Sequence, residues 1–148
     1  MATDRGVEQR ALFRRWPTGV SVVVAEAGRR RAGLTVNSLV SISLALSASL
    51  YEVLRDARAW KVSMLSGDQE HLAQHFARSV PPIAQWDGIP VRSDDPHLLE
   101  GAVGWLQVRT VDEVAAGDHT VFVGEVEQIE QGPGHGALVY FGRTFHAL

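Results

Sequence analysis

The sequence predicts a mainly β domain: an antiparallel barrel of about six strands with two or three short helices. Three observations carry this. Residues 32–49, "AGLTVNSLVSISLALSAS", alternate, with Leu34, Val36, Val40, Ile42, Leu44 and Leu46 on one face and Thr35, Asn37, Ser41, Ser43 and Ser47 on the other; Ser38 and Leu39 are the exceptions. Period two is the strand period. The β-branched run "GVSVVVAEA" (19–27) meets this stretch across "GRRR" (28–31), the pattern of a hairpin. Finally, "AVGWLQVRTVDEVAAGDHTVFVGEVEQIEQ" (102–131) holds two long strand-like runs around "AAGD", a second hairpin. In a domain this small, hairpins suggest a barrel, which removes exposed edges.

The other elements follow in order. "VEQRALFRRW" (7–16) has helical spacing of Val7, Ala11, Leu12 and Trp16, and Pro17 keeps Trp16 out of the helix. "SASLYEVLRDARA" (47–59) reads as a helix with Ser49 as cap and Glu52 completing a capping box. A strand "WKVSMLS" (60–66) precedes a second helix, 66–77, capped by Asp68 or Ser66. Residues 78–100, rich in Pro, Asp and Gly, read as a long ordered loop; "GPGHG" (132–136) is a turn and 137–148 a final strand.

Composition bounds the function. The chain has 148 residues, the size of one domain over 1–148, and 45% are hydrophobic, enough for a real core. No apolar run approaches the roughly 18 residues of a membrane helix. The first residues, "MATDRGVEQR", lack the apolar segment of a signal peptide. Cysteine is absent, which excludes disulfides, cysteine-ligated metals and thiol catalysis and fits a cytoplasmic location. A net charge of −3, with Lys61 the sole lysine, argues against a nucleic-acid binder.

Candidate chemistry is sparse. The Thr/Asn/Ser face of 32–49 reads either as the solvated side of an edge strand or as a ledge for a flat ligand, offering hydroxyls, an amide and room. "HLAQH" sets His71 and His75 one helical turn apart, but no third metal ligand stands out and an exposed helix face is the simpler reading. "GPGHG" lacks the features of a phosphate loop, and "GRRR" reads as a solvated hairpin tip. In "GDHTVFVGEV" (117–126), His119 enters a strand straight after a tight turn, where it either faces water or reaches over a bound ring.

Taken together, "F-x-x-W-x-T-G-V-S-V-V" (13–23), "G-L-T-V-N-S" (33–38), the segment from Ser63 through Gln69 to Ala77, "A-G-D-H-T-V-F-V-G-E-V" (116–126) and "L-V-Y-F-x-x-x-F" (138–145) resemble the flavin reductase-like domain family, across nearly the whole chain and in order. The resemblance implies a six-stranded, Greek-key-like split barrel of the FMN-binding type, a homodimer, and an NAD(P)H-dependent flavin reductase supplying reduced FMN or FAD to a separate monooxygenase. It implies that Thr35, Asn37 and Ser38 line the flavin and that Ser47 and Ser49 lie near its phosphate, where a helix N-terminus favours an anion. Phe76 and Ala77 would touch the flavin, His119 would lie by the ring face where nicotinamide stacks, and Arg143 would meet the cofactor's charged end. Hydride passes directly between the rings, so no acid–base motif is required. A non-reductase flavin protein and a cofactor-free partner-binding barrel are the alternatives.

One stretch is too short. An unbroken strand over 34–46 would span about 43 Å at roughly 3.3 Å per residue, whereas usual strands have roughly 3–10 residues. The related reductases place two strands and a Pro-Pro turn here. A true deletion would open a sheet edge, which favours instead a segment omitted between Ser38 and Ser47.

Overall fold

A computed structural model of the chain describes residues 4–78, 80–81 and 83–148. Its elements are α1 (Asp4–Phe13), β1 (Thr18–Gly19), β2 (Ser21–Ala27), β3 (Arg30–Val36), β4 (Ser41–Ala45), α2 (Ser49–Ala57), β5 (Ala59–Met64), α3 (Glu70–Ala77), β6 (Gly104–Ala116), β7 (His119–Gln131), β8 (Leu138–Phe141) and β9 (Thr144–Ala147). Six strands form an antiparallel sheet in the order β3-β2-β5-β6-β7-β4, and β1, β8 and β9 form a small second sheet.

The alternating stretch is two strands, β3 and β4, at opposite edges of the larger sheet. The chain crosses from one edge to the other between Val36 and Ser41, at most about 18 Å for five peptide steps. The edges of a flat six-stranded sheet would lie about 24 Å apart. The sheet must therefore curl, and it forms a half-barrel whose seam, β3 beside β4, carries no ladder. The expected six-stranded antiparallel split barrel is what forms, with its open seam between β3 and β4. The short stretch loses no strand: β3 and β4 both form, joined by residues 37–40 alone.

Three successive carbonyls fasten the crossing. The Ser21 hydroxyl donates to Ser38 O (3.2 Å), Trp60 Nε1 to Leu39 O (3.0 Å) and the Gly124 amide to Val40 O (2.8 Å). Trp60 is 1% exposed, so core packing and the position of this turn are one problem.

β2 explains why a run such as "SVVVA" does not alternate. Val23 and Ala25 pack with α2, Ile42, Leu44 and Phe122 on one side, and Val22 and Val24 with Leu72, Ala73 and Phe76 of α3 on the other. A strand buried on both faces reads as continuously apolar. On α2 the buried residues are Leu50, Val53 and Leu54, the i, i+3, i+4 stripe of an amphipathic helix.

Both expected caps are corrected. Ala48 is the N-cap of α2 and makes no side-chain cap bond, because the turn closed by Ala48 N–H to Ala45 O puts Ser49 inside the helix. Before α3, Ser66 Oγ bonds Asp68 and the Gln69 amide carbonyl accepts the Ser66 N–H, so these side chains brace the turn rather than cap the helix. The final strand is also two, β8 and β9, folded about Gly142 and Arg143.

Asp95 ties the long loop to the sheet. Its carboxylate takes the Lys61 ammonium of β5, and its other oxygen accepts the backbone N–H of His97 and faces the ring Nδ1, both at 3.0 Å. Burial pushes the Asp95 carboxyl up, and the Lys61 and His97 bonds outweigh burial and hold it below its ordinary value. A depressed carboxylate stabilises the fold above its unfolded value and loses that contribution as pH falls through the folded one. Asp95→Asn is expected to cost about 1–3 kcal/mol at neutral pH. The gap to wild type should close in acid, as read by denaturant melts across pH.

Candidate functional site

β3 and β4 leave a cavity of about 820 Å³ across the open seam. Leu34, Thr35 and Val36 of β3, Asn37 and Ser38 of the turn, and Ser41 and Ser43 of β4 form one wall. Ser41 and Ser43 face outward because Ile42 and Leu44, 0% and 2% exposed, take the core face of the same strand. The remaining wall comes from Thr18, Val20, Ala77, Val121, Tyr140, Arg143 and Phe145.

Each functional group has a local cause. The Thr35 hydroxyl donates to Ala73 O of α3 (2.6 Å), which fastens β3 to the helix and leaves the cavity an acceptor and a methyl. Tyr140 and Phe145 are cross-strand partners of β8 and β9, with ring centroids 5.1 Å apart. Gly142 and Arg143 form the two-residue turn between them, both at positive φ (60° and 69°). That conformation suits Gly142 and strains Arg143. Among the described residues, no carboxylate pairs with Arg143, so its charge is uncommitted. Thr18 Oγ1 is sealed from solvent and has no hydrogen-bond partner. The mixture fits a flavin: apolar and aromatic surface for a ring, hydroxyls and an amide for a polyol chain, and a cation for a phosphate.

Five of the expected residues meet here: Thr35, Asn37, Ser38, Ala77 and Arg143. Phe76 does not. It is 0% exposed, packed with Leu72, Ala73 and Trp86 behind the wall, since consecutive helical residues point about 100° apart. Ser49 lines a different cavity, of about 780 Å³, with Arg29, Arg30, Arg31 and Trp86, and Ser47 lines neither. That second cavity lies by the Arg30 end of β3, the ledge by its Val36 end.

His119 also stands outside the cavity wall. Its side chain is 44% exposed and its Nδ1 lies 2.7 Å from Asp118 Oδ1. The hydrogen bond and the imidazole charge hold the Asp118 carboxyl below its usual range. Yet His119 shares a face of β7 with the wall residue Val121, one side-chain step of about 7 Å beyond it. The wall residues that the sequence did not single out include Thr18, Tyr140, Phe145 and Val121. Ser41 and Ser43 were legible on the polar face, but Tyr140 and Phe145 meet only because 137–148 folds into a hairpin. His75 Nε2–H donates to Gln85 O (2.6 Å), and among the described residues no group of three or more His, Asp and Glu is placed to hold a metal.

Comparison with known proteins agrees with this geometry. The flavin reductase-like domain matches residues 13–148. The chain is 35% identical over 144 residues to the reductase component of 4-hydroxyphenylacetate 3-monooxygenase from Thermus thermophilus, covering 90% of this chain and 91% of that protein. It is 34% identical over 153 residues to an NADH-dependent FAD reductase of Streptomyces globisporus, covering 94% and 84%. That alignment is longer than this chain, so the relative carries residues that have no counterpart here. Among solved structures, BorF, the flavin reductase component of a bacterial two-component tryptophan halogenase, superposes with a TM-score of 0.83 at 28% identity over 96% of this chain and 97% of that one. A half-barrel with a polar ledge, matched from Phe13 to the last residue, places this chain in the flavin reductase-like domain family.

Proposed function

We propose that this protein is an NAD(P)H:flavin oxidoreductase that supplies reduced flavin to a separate monooxygenase component. The observation that carries the reading is the seam cavity, which sets the Thr35–Ser38 ledge, an aromatic pair and the uncommitted Arg143 around one space. Bound there, a flavin would supply the two-electron acceptor for hydride from a reduced nicotinamide. The chain's own groups bind and orient. Asn37, Ser38, Ser41 and Ser43 offer hydrogen bonds, Val20, Leu34 and Phe145 exclude water, and Arg143 meets the anionic end. The open seam leaves one ring face accessible for the nicotinamide and lets the product depart.

The same reading makes the protein a homodimer. α1 has no buried residue, while Val7, Leu12, Phe13 and Trp16 are 53–72% exposed. A helix with this apolar surface and no buried residue of its own suits contact with a second copy. NADH consumption with added FMN or FAD, compared with NADPH, tests the activity. Turnover with neither nicotinamide would overturn the reading, whereas NADH turnover that requires added flavin supports it.

His119 is assigned to the nicotinamide side, because it lies on the Val121 face beyond the cavity. His119→Ala is expected to raise the KM for NAD(P)H about tenfold with a smaller change in kcat, a loss of uniform binding. A collapse of flavin affinity at unchanged nicotinamide KM would contradict the assignment.

A further inference from the structure

Thr18 is the polar group in the cavity wall that the fold leaves unanswered. Its backbone belongs to β1, paired with Tyr140 of β8. Its Oγ1 has less than a trace of solvent contact and no hydrogen-bond partner, and its neighbours on the wall are Val20, Tyr140 and Phe145. Valine has the same shape and would fill this place without a buried polar atom. A hydroxyl buried without a partner destabilises a fold relative to an apolar group of the same shape. The other wall hydroxyl contributed by a threonine, Thr35, is already engaged with Ala73 O.

We infer that the Thr18 hydroxyl is a hydrogen-bond partner for a polar atom of the flavin ring system, a role that rests on the flavin-site reading above. The apolar and aromatic surroundings suit a ring rather than the solvent-seeking ribityl hydroxyls, and a threonine hydroxyl can either donate to a ring carbonyl or accept from a ring N–H. Because Thr18 Oγ1 is closed to solvent, admitting the ring requires its directly opposite cross-strand partner Tyr140, 41% exposed, to move.

The test measures Thr18→Val and Thr18→Ser in the full chain, with FMN and lumiflavin as probes, lumiflavin lacking ribityl and phosphate. Flavin Kd is read by fluorescence quenching and the Tm of the flavin-free protein by thermal unfolding. Thr18→Val should keep or raise the Tm, while its Kd rises about tenfold for both probes. Thr18→Ser, which retains the hydroxyl, should bind within about threefold of wild type. Three results overturn the inference: unchanged Kd for Thr18→Val, a Kd change for FMN alone, or a marked drop in Tm, which would mean the hydroxyl serves the fold. If the wild type binds neither probe, the flavin-site reading itself fails, an outcome distinct from a wild type that binds and a valine variant that binds equally.

Discussion

Replacing Gly124 with alanine is expected to destabilise the protein by at least about 3 kcal/mol and to weaken flavin binding as well. A Cβ at this position would lie 2.2 Å from Val108 Cγ1 and 2.5 and 2.7 Å from ring carbons of Trp60. Val108 and Trp60 are 2% and 1% exposed, so neither has open space to move into. Overpacking of a dense core typically costs about 1–3 kcal/mol, and here two rigid neighbours are struck at once. For a domain of this size the Tm should fall by roughly 6–12 °C. The effect on the site follows from the same contacts. Trp60 holds Leu39 O and the Gly124 amide holds Val40 O, so displacing either moves the turn that carries Asn37 and Ser38. Val108→Ala in the same chain removes the nearest clash and should restore part of the lost stability, a coupling that a double-mutant cycle measures.

Arg143→Gly separates charge from fold. Glycine accepts the φ of 69° without strain, so the Gly142 turn persists and stability should hold or rise by up to about 1 kcal/mol. The uncommitted guanidinium is lost. The Kd for FMN should rise about tenfold or more, the scale of a charge-assisted hydrogen bond, while riboflavin, which has no phosphate, should bind as before. Added salt should weaken FMN binding in wild type and matter little in the variant. Equal losses for FMN and riboflavin would place Arg143 beside the ring instead.

Much of the fold was legible because its signals are local. The valine run of 19–27 with the "GRRR" turn carries one hairpin, and the "AAGD" turn with its flanking runs carries another. The seam was hard to read because alternation breaks only at Ser38 and Leu39 and resumes in the same parity, with Val36 and Ile42 both packed on the core, while the chain crosses between sheet edges. The caps failed because Ser49 and Asp68 are one step from where tertiary packing starts their helices. Of the cavity wall, Thr35, Asn37 and Ser38 come from one contiguous motif, which is why the sequence groups them. Thr18, Tyr140 and Phe145 come from ends of the chain that meet only in the second sheet. Phe76 was misplaced by one helical step, since motif adjacency to Ala77 does not say which of the two faces the core.

Bound in the seam cavity, a flavin would lie within hydride reach of a reduced nicotinamide. Anaerobic mixing of the folded protein with FMN and a reduced nicotinamide tests it most directly. The flavin's visible absorbance should be lost with matching loss of the nicotinamide's near-ultraviolet band, one flavin reduced per nicotinamide oxidised, at a rate proportional to protein. Flavin that binds the protein yet keeps its absorbance with both NADH and NADPH would contradict it.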